Sequence, residues 1–259
     1  MITLLLGLTV GVLFGLTGNG GSTLAVPLLV YGLHLSPHAA VCTSMIAVGT
    51  MAAVRAVQST RAGGVDNRLG GRLAFSGLAG APIGALIGRH LSERWLLWLF
   101  ATLVLIVAAR LWNQKSHITS DASGLVLQST SAKIHAQQFW LLAALGFGIG
   151  VLSGLLGVGG GFILIPGLVL LGGLEIHRAM ATAMFTIALV SVAAMAAHFF
   201  AGQRVSSETT GLFTMGGLMG LWPGTWLAAR LPAIWLARVL AVGLLLLGAF
   251  IAVHNFTNS

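Results

Sequence analysis

The chain carries too little charge to cover a water-facing surface. Of its 259 residues, 13 are Lys or Arg and 5 are Asp or Glu, or 7% in all, where a soluble domain carries roughly 25%. With 57% hydrophobic residues and a mean hydropathy of +0.97, that deficit excludes a soluble globular fold and implies an integral membrane protein. Cysteine is nearly absent: Cys42 stands alone, so intrachain disulfides and CxxC chemistry are excluded. No His, Cys or carboxylate cluster has metal-ligand spacing, and neither a Walker A motif nor a GxSxG elbow is present. The run Gly157-Val158-Gly159-Gly160-Gly161 lacks the Lys-Ser/Thr and βαβ context of a nucleotide loop. No catalytic residue, metal or cofactor is therefore expected, and the chain does not read as an enzyme.

Acid is scarce where it would matter most. Asp66, Glu93, Asp121, Glu175 and Glu208 all fall in loops or at segment ends. Proton- or sodium-coupled pumps generally place ionisable groups within the membrane. Their absence leaves His or backbone carbonyls as coupling groups, or an uncoupled carrier. The net charge of +8 fits Arg at helix ends facing the cytoplasm and anionic lipid better than nucleic acid. Residues 2–17 lack a basic n-region and an A-x-A cleavage site, and read as mature structure.

Apolar runs and glycine are abundant. Apolar segments cover about 2–17, 22–34, 38–58, 70–90 and 95–112, then 138–155, 162–174, 178–201, 209–230 and 232–254. This predicts an all-α polytopic membrane protein. Domain boundaries follow: a first repeat at 1–112, a polar linker at 113–137 rich in Ser, Thr, Gln and Lys, and a second repeat at 138–259. The halves share a motif. Gly11 to Met45 returns as Gly150 to Met184, displaced by 139 residues without a gap. From 6 to 45, 18 of 40 positions are identical. Less cleanly, Gly80-Ala81-Pro82 through Arg89 resembles Leu221-Trp222-Pro223 through Arg230 at a displacement of 141.

Residues 22–34 would rise about 20 Å as a helix, short of the roughly 30 Å hydrocarbon core. Each half thus reads as a Gly-broken helical hairpin plus three transmembrane helices. Pro27 and Pro166 are expected near the start of the second arm, where a missing N–H costs little. Irregular backbone at membrane depth needs protein or a water-filled cavity around it, so the Gly-rich tips are expected inside. A hairpin followed by three crossings inverts the next half. The inverted scheme gathers Arg61, Arg68, Arg72, Arg110, Lys115, Lys133, Arg178, Arg230 and Arg238 on one face, against Arg89, Arg94 and Arg204 on the other. By the positive-inside rule the first face is cytoplasmic.

A duplicated, Gly-broken segment is a pointer to a transport site. Freed N–H groups at a helix start bind anions, and glycine lets the backbone approach a ligand closely. The candidate substrate-binding set is Gly18, Asn19, Gly20, Gly21 and Ser22 at the first tip and Gly157, Gly159, Gly160 and Gly161 at the second. Thr43, Ser44 and Thr182 join it from the following helices. Competing readings stay open: Gly for close helix crossing, Asn19 as a cap, and Thr43 and Thr182 bonding their own backbone. His38 and His177 suit capping or interfacial positions, and His198 is ambiguous. Arg55 could attract an anion or snorkel to the loop.

The doubled pattern Gly15-Leu16-Thr17-Gly18-Asn19-Gly20-Gly21…Pro27 resembles the signature of the sulfite exporter TauE/SafE family, also called the toluenesulfonate uptake permease family. So does Gly64-Val65-Asp66 followed by Gly80-Ala81-Pro82-Ile83-Gly84-Ala85-Leu86-Ile87-Gly88-Arg89. The resemblance covers nearly the whole chain. It implies a multi-pass transporter of the bacterial inner membrane, carrying small anions such as sulfite, sulfonates and related sulfur or carboxylate compounds. About eight spanning segments are usual in that family. The first copy departs from the second at Asn19 and Ser22, where Val158 and Gly161 stand. Export is the expected direction, since −100 mV pushes each negative charge outward with about 2.3 kcal/mol. The alternatives are an anion channel and an importer of an organic sulfonate or carboxylate. The expected partners are a small anionic substrate and the lipid bilayer, with no nucleic acid; a homodimer stays open.

Overall fold

The computed structural model describes residues 1–18, 20–113, 136–200, 206–228 and 230. Asn19, most of the linker (114–135) and the last apolar segment (232–254) lie outside the described residues. The described elements are all helical: α1 (Ile2–Thr17), a 3₁₀ turn (Gly20–Leu24), α2 (Ala25–Leu33), α3 (Pro37–Arg61), α4 (Asn67–His90), α5 (Glu93–Asn113), α6 (Ala136–Leu156), α7 (Gly161–Leu170), α8 (Ile176–Phe200) and α9 (Ser207–Ala228).

Local sequence explains several boundaries. Ser36 caps α3, accepting from the Ala39 amide at 3.4 Å, with Pro37 in the first turn. Asp66 caps α4, accepting from the amides of Arg68 and Leu69 at 3.0 Å each. Such caps are worth about 1 kcal/mol. The short arms are short as read from sequence: α2 has 9 residues and α7 has 10.

One expectation needs correcting. Pro27 is the third residue of α2, but Pro166 is the sixth of α7. The first break ends in a 3₁₀ turn that pushes the helix start toward Pro27. The second break enters its helix directly at Gly161, leaving Pro166 in the interior, where it denies the Phe162 carbonyl its i+4 donor.

Among the described residues, two helices are long and apolar enough by composition to cross a membrane: Pro37–Arg61 and His177–Phe200. The other long helices trade hydropathy for close packing. α4 carries six glycines in 24 residues and α9 five in 22, and several of them lie where backbones touch. A Cβ on Gly7, Gly11 or Gly15 of α1 would overlap backbone of α9 at Phe213, Gly217 and Leu221 respectively. A Cβ on Gly146, Gly150 or Gly154 of α6 would overlap backbone of α4 at Leu73, Gly77 and Ala81. Only glycine permits that approach.

These two contact sets are the same set displaced, by 139 residues on one helix and 140 on the other. The glycine contacts therefore relate α4 to α9 by 140, not by the 141 that the prolines suggest. Register rises together along each pair, so α1 runs parallel to α9 and α4 runs parallel to α6. Thr43 and Met51 of α3 meet Thr210 and Gly217 of α9, again in parallel. Gly70 and Gly77 of α4 meet Thr182 and Val190 of α8, also in parallel. His38 at the start of α3 reaches the Gly88 carbonyl at the end of α4, 3.1 Å away, so α3 and α4 are antiparallel. Thus α1, α3 and α9 point one way while α4, α6 and α8 point the other.

Candidate functional site

The two Gly-rich breaks lie side by side in the core. Gly18 has φ 76°, and Gly157, Gly159 and Gly160 have φ 68°, 73° and 64°, a region that costs other residues roughly 1–2 kcal/mol each. Gly18, Gly21 and Ser22 of the first tip are buried, as are residues 157–161 of the second. Hydroxyls join them. Ser22 Oγ donates to the Val158 carbonyl at 2.7 Å. Ser44 Oγ, from α3, donates to the Gly157 carbonyl at 2.7 Å. Both hydroxyls belong to the first half and both carbonyls to the second tip. At the equivalent positions of the second half, Gly161 and Ala183 have no hydroxyl to return the contact.

The tips also differ in their amides. Thr17 Oγ1 donates to the Leu13 carbonyl at 2.7 Å and accepts from the Gly21 amide at 3.0 Å. Leu156 stands in the place of Thr17 in the second half, so the Gly160 amide has no such acceptor. Across a trans peptide the N–H points opposite the C=O. With the Gly157 and Val158 carbonyls turned to Ser44 and Ser22, the Val158 and Gly159 amides face away from those hydroxyls. The Gly161 and Phe162 amides open α7, where no intrahelical carbonyl is available. The second tip thus gathers donors at a helix start, whose partial positive charge favours an anion. A Cβ on Gly159 would sit 3.1 Å from both Val48 of α3 and Ile187 of α8, positions related by the 139-residue displacement.

The other candidates are placed elsewhere. Thr43 Oγ1 lies 3.4 Å from Thr210 Oγ1 of α9. Thr182 Oγ1 accepts from the Asp66 amide at 3.1 Å, fastening α8 to the α3–α4 turn. Asn19 lies outside the described residues, and Gly20 opens the 3₁₀ turn. His38, besides its Gly88 contact, stands 3.8 Å from Glu93, an exposed pairing worth little. His198 is buried and bonded through Nε2 to the Gly154 carbonyl at 2.9 Å. A carbonyl only accepts, so Nε2 carries the hydrogen. His198 therefore grips the last turn of α6 just before the second tip.

Sequence alone did not single out two further polar residues. Thr17 reads as one more polar residue in an apolar helix until its bond to Gly21 is seen. Ser191 of α8 is buried beside Gly49, its Oγ without a hydrogen-bond partner among the described residues. Among those same residues, no group of three or more His, Cys, Asp or Glu could hold a metal.

A helical protein of the membrane, with paired Gly-broken tips in its core, defines the class of small-solute transporters with discontinuous helices. The chain belongs to the sulfite exporter TauE/SafE family, whose model matches residues 3–251. It is 30% identical over 244 residues to a "Probable membrane transporter protein" of Xylella fastidiosa (strain 9a5c), covering 90% of this chain and 86% of the relative. It is 26% identical over 246 residues to "Probable membrane transporter protein YunE" of Bacillus subtilis (strain 168), covering 90% and 87%. No solved structure matches the chain. The family is one of membrane transporters rather than enzymes.

Proposed function

We propose that the protein is a multi-pass secondary carrier of the bacterial inner membrane that exports a small sulfur oxyanion, sulfite or an organosulfonate. Its two halves act as inverted-topology repeats. The observation that carries this reading is the junction of the tips, where Ser22 and Ser44 of one half hold the carbonyls of the other half's break. An oxyanion seated there would take the amides of residues 158–162, with Gly18, Gly20 and Gly21 closing from the opposite side. Ser22 and Ser44 would turn their hydroxyls from carbonyl to anion as it enters. Thr43 and Thr182 keep the flanking helices in register with the site, and Asn19 adds an amide donor at the first tip.

Opposed directions of α1, α3 and α9 against α4, α6 and α8 support inversion. Burial of both tips supports a carrier that occludes its substrate over an open channel. The test is flux of radiolabelled sulfite into proteoliposomes at imposed potentials of each sign. A Gly20→Val, Gly159→Val variant is the control. Saturable, potential-driven flux lost in the variant is expected. Flux of a carboxylate without sulfite would change the substrate, and flux indifferent to the variant would remove the tips from the site.

A further inference from the structure

We propose that the groove between the first turns of α4 and α6 binds an acidic phospholipid of the bilayer. Arg68 and Arg72 hold its phosphate, and an acyl chain lies along the exposed Phe75, with the buried Leu142 at the floor of the groove. The inference is independent of which anion the protein carries. A cavity of about 390 Å³ opens here, lined by these four residues and by Ser76 and Ala143 among others. That volume is in the range of small-molecule sites.

The outward face of α4 has the polarity of a lipid. Arg68 and Arg72 are exposed one turn apart, and Phe75 follows at 78% exposure. Ile83 and Leu86 continue the stripe as exposed apolar side chains. Charge at the helix start thus gives way to an apolar strip descending the same face. The opposite face of α4 buries Gly77, Gly80 and Gly84 against α6 and α8, so the groove lies outside the helix pair, away from the tips. The nearby carboxylate, Asp66, accepts from the amides of Arg68 and Leu69 as the cap, and two guanidiniums outweigh it. The Ser76 hydroxyl donates to the carbonyls of Arg72 and Leu73, at 3.3 and 3.1 Å. Trp140, 71% exposed in the first turns of α6, suits the membrane–water interface beside the groove. Basic pockets between transmembrane helices on the cytoplasmic side recognise anionic headgroups, and α4 and α6 begin on one face.

A free phosphate would share the arginines but would leave the apolar wall unused. The experiment therefore titrates the purified full-length protein in neutral detergent with phosphatidylglycerol, phosphatidylcholine or inorganic phosphate. Melting temperature and native mass spectrometry are the readouts. Phosphatidylglycerol is expected to raise the melting temperature by ~3 °C and to be retained in the gas phase, with the other two ineffective. Arg68→Ala with Arg72→Ala is expected to weaken that binding about 30-fold, roughly fivefold per arginine. Equal response to both lipids, response to phosphate alone, or a double variant that binds like wild type would overturn the proposal. Should the double variant not fold, a photoactivatable phosphatidylglycerol is crosslinked to wild type. Adducts on 67–76 and 140–147 are expected, and adducts confined elsewhere overturn the site.

Discussion

Gly159 is the residue on which the two halves converge. Its φ of 73° strains any side chain, and its two neighbours at 3.1 Å would have to give way to one. Gly159→Ala is expected to cost about 1–2 kcal/mol from backbone conformation and to abolish sulfite flux. Reconstituted transport set against melting temperature separates the two, and a variant that transports normally would refute the role. Ser44→Ala removes the donor from the buried Gly157 carbonyl. The expected loss is about 1–3 kcal/mol, read as a lower melting temperature. The sequence showed that Ser44 and Thr43 lie beside a break. It could not show which break. Ser44 answers to the opposite tip, and Thr43 turns one position away to Thr210.

At the scale of elements, glycine spacing decides which helices meet. Gly11→Leu is expected to drive α1 off α9, and Gly150→Leu to drive α6 off α4. Both should appear as loss of the monodisperse peak in size-exclusion chromatography, whereas Leu at Gly71, where a Cβ would meet nothing, should not. Thr182→Val keeps the side-chain volume but takes the acceptor from the Asp66 amide. It should loosen the α3–α4 turn, measured as faster hydrogen exchange at residues 64–69. Helix extents were legible because apolar runs are local: 2–17 became α1. Pairings were not legible, because a glycine says that something comes close without saying what. The direct entry of the second break into α7, which leaves Pro166 inside the helix, was equally hidden. It depends on the absence of a 3₁₀ turn that no residue type announces.

Over the whole molecule, the opposed helix directions make a topological prediction. In a Cys42→Ala background, single cysteines at Ser36 and Glu175 mark the α2–α3 and α7–α8 connections, equivalent positions of the two halves. They should react with a membrane-impermeant maleimide from opposite sides of the membrane. Reaction from the same side would mean that the halves run in parallel. The family was legible from the doubled motif, and the fold class from the shortage of charge. The exchange of partners between halves was not, because it joins α1 to α9 and α4 to α6, helices that do not follow one another in the chain.

That exchange has a consequence for how the protein is made. α1 packs on α9, so a helix synthesised early waits for one that follows much later. From residue 17 to residue 207 the ribosome adds 190 residues, on the order of 10–40 s at 5–20 residues per second. Throughout that interval the bare backbone strip at Gly7, Gly11 and Gly15 faces lipid with no mate. α4 and α6 meet much sooner. A nascent chain halted after α6 should therefore hold one finished helix pair and one orphan, and the orphan is where an insertase or membrane chaperone would find its handle.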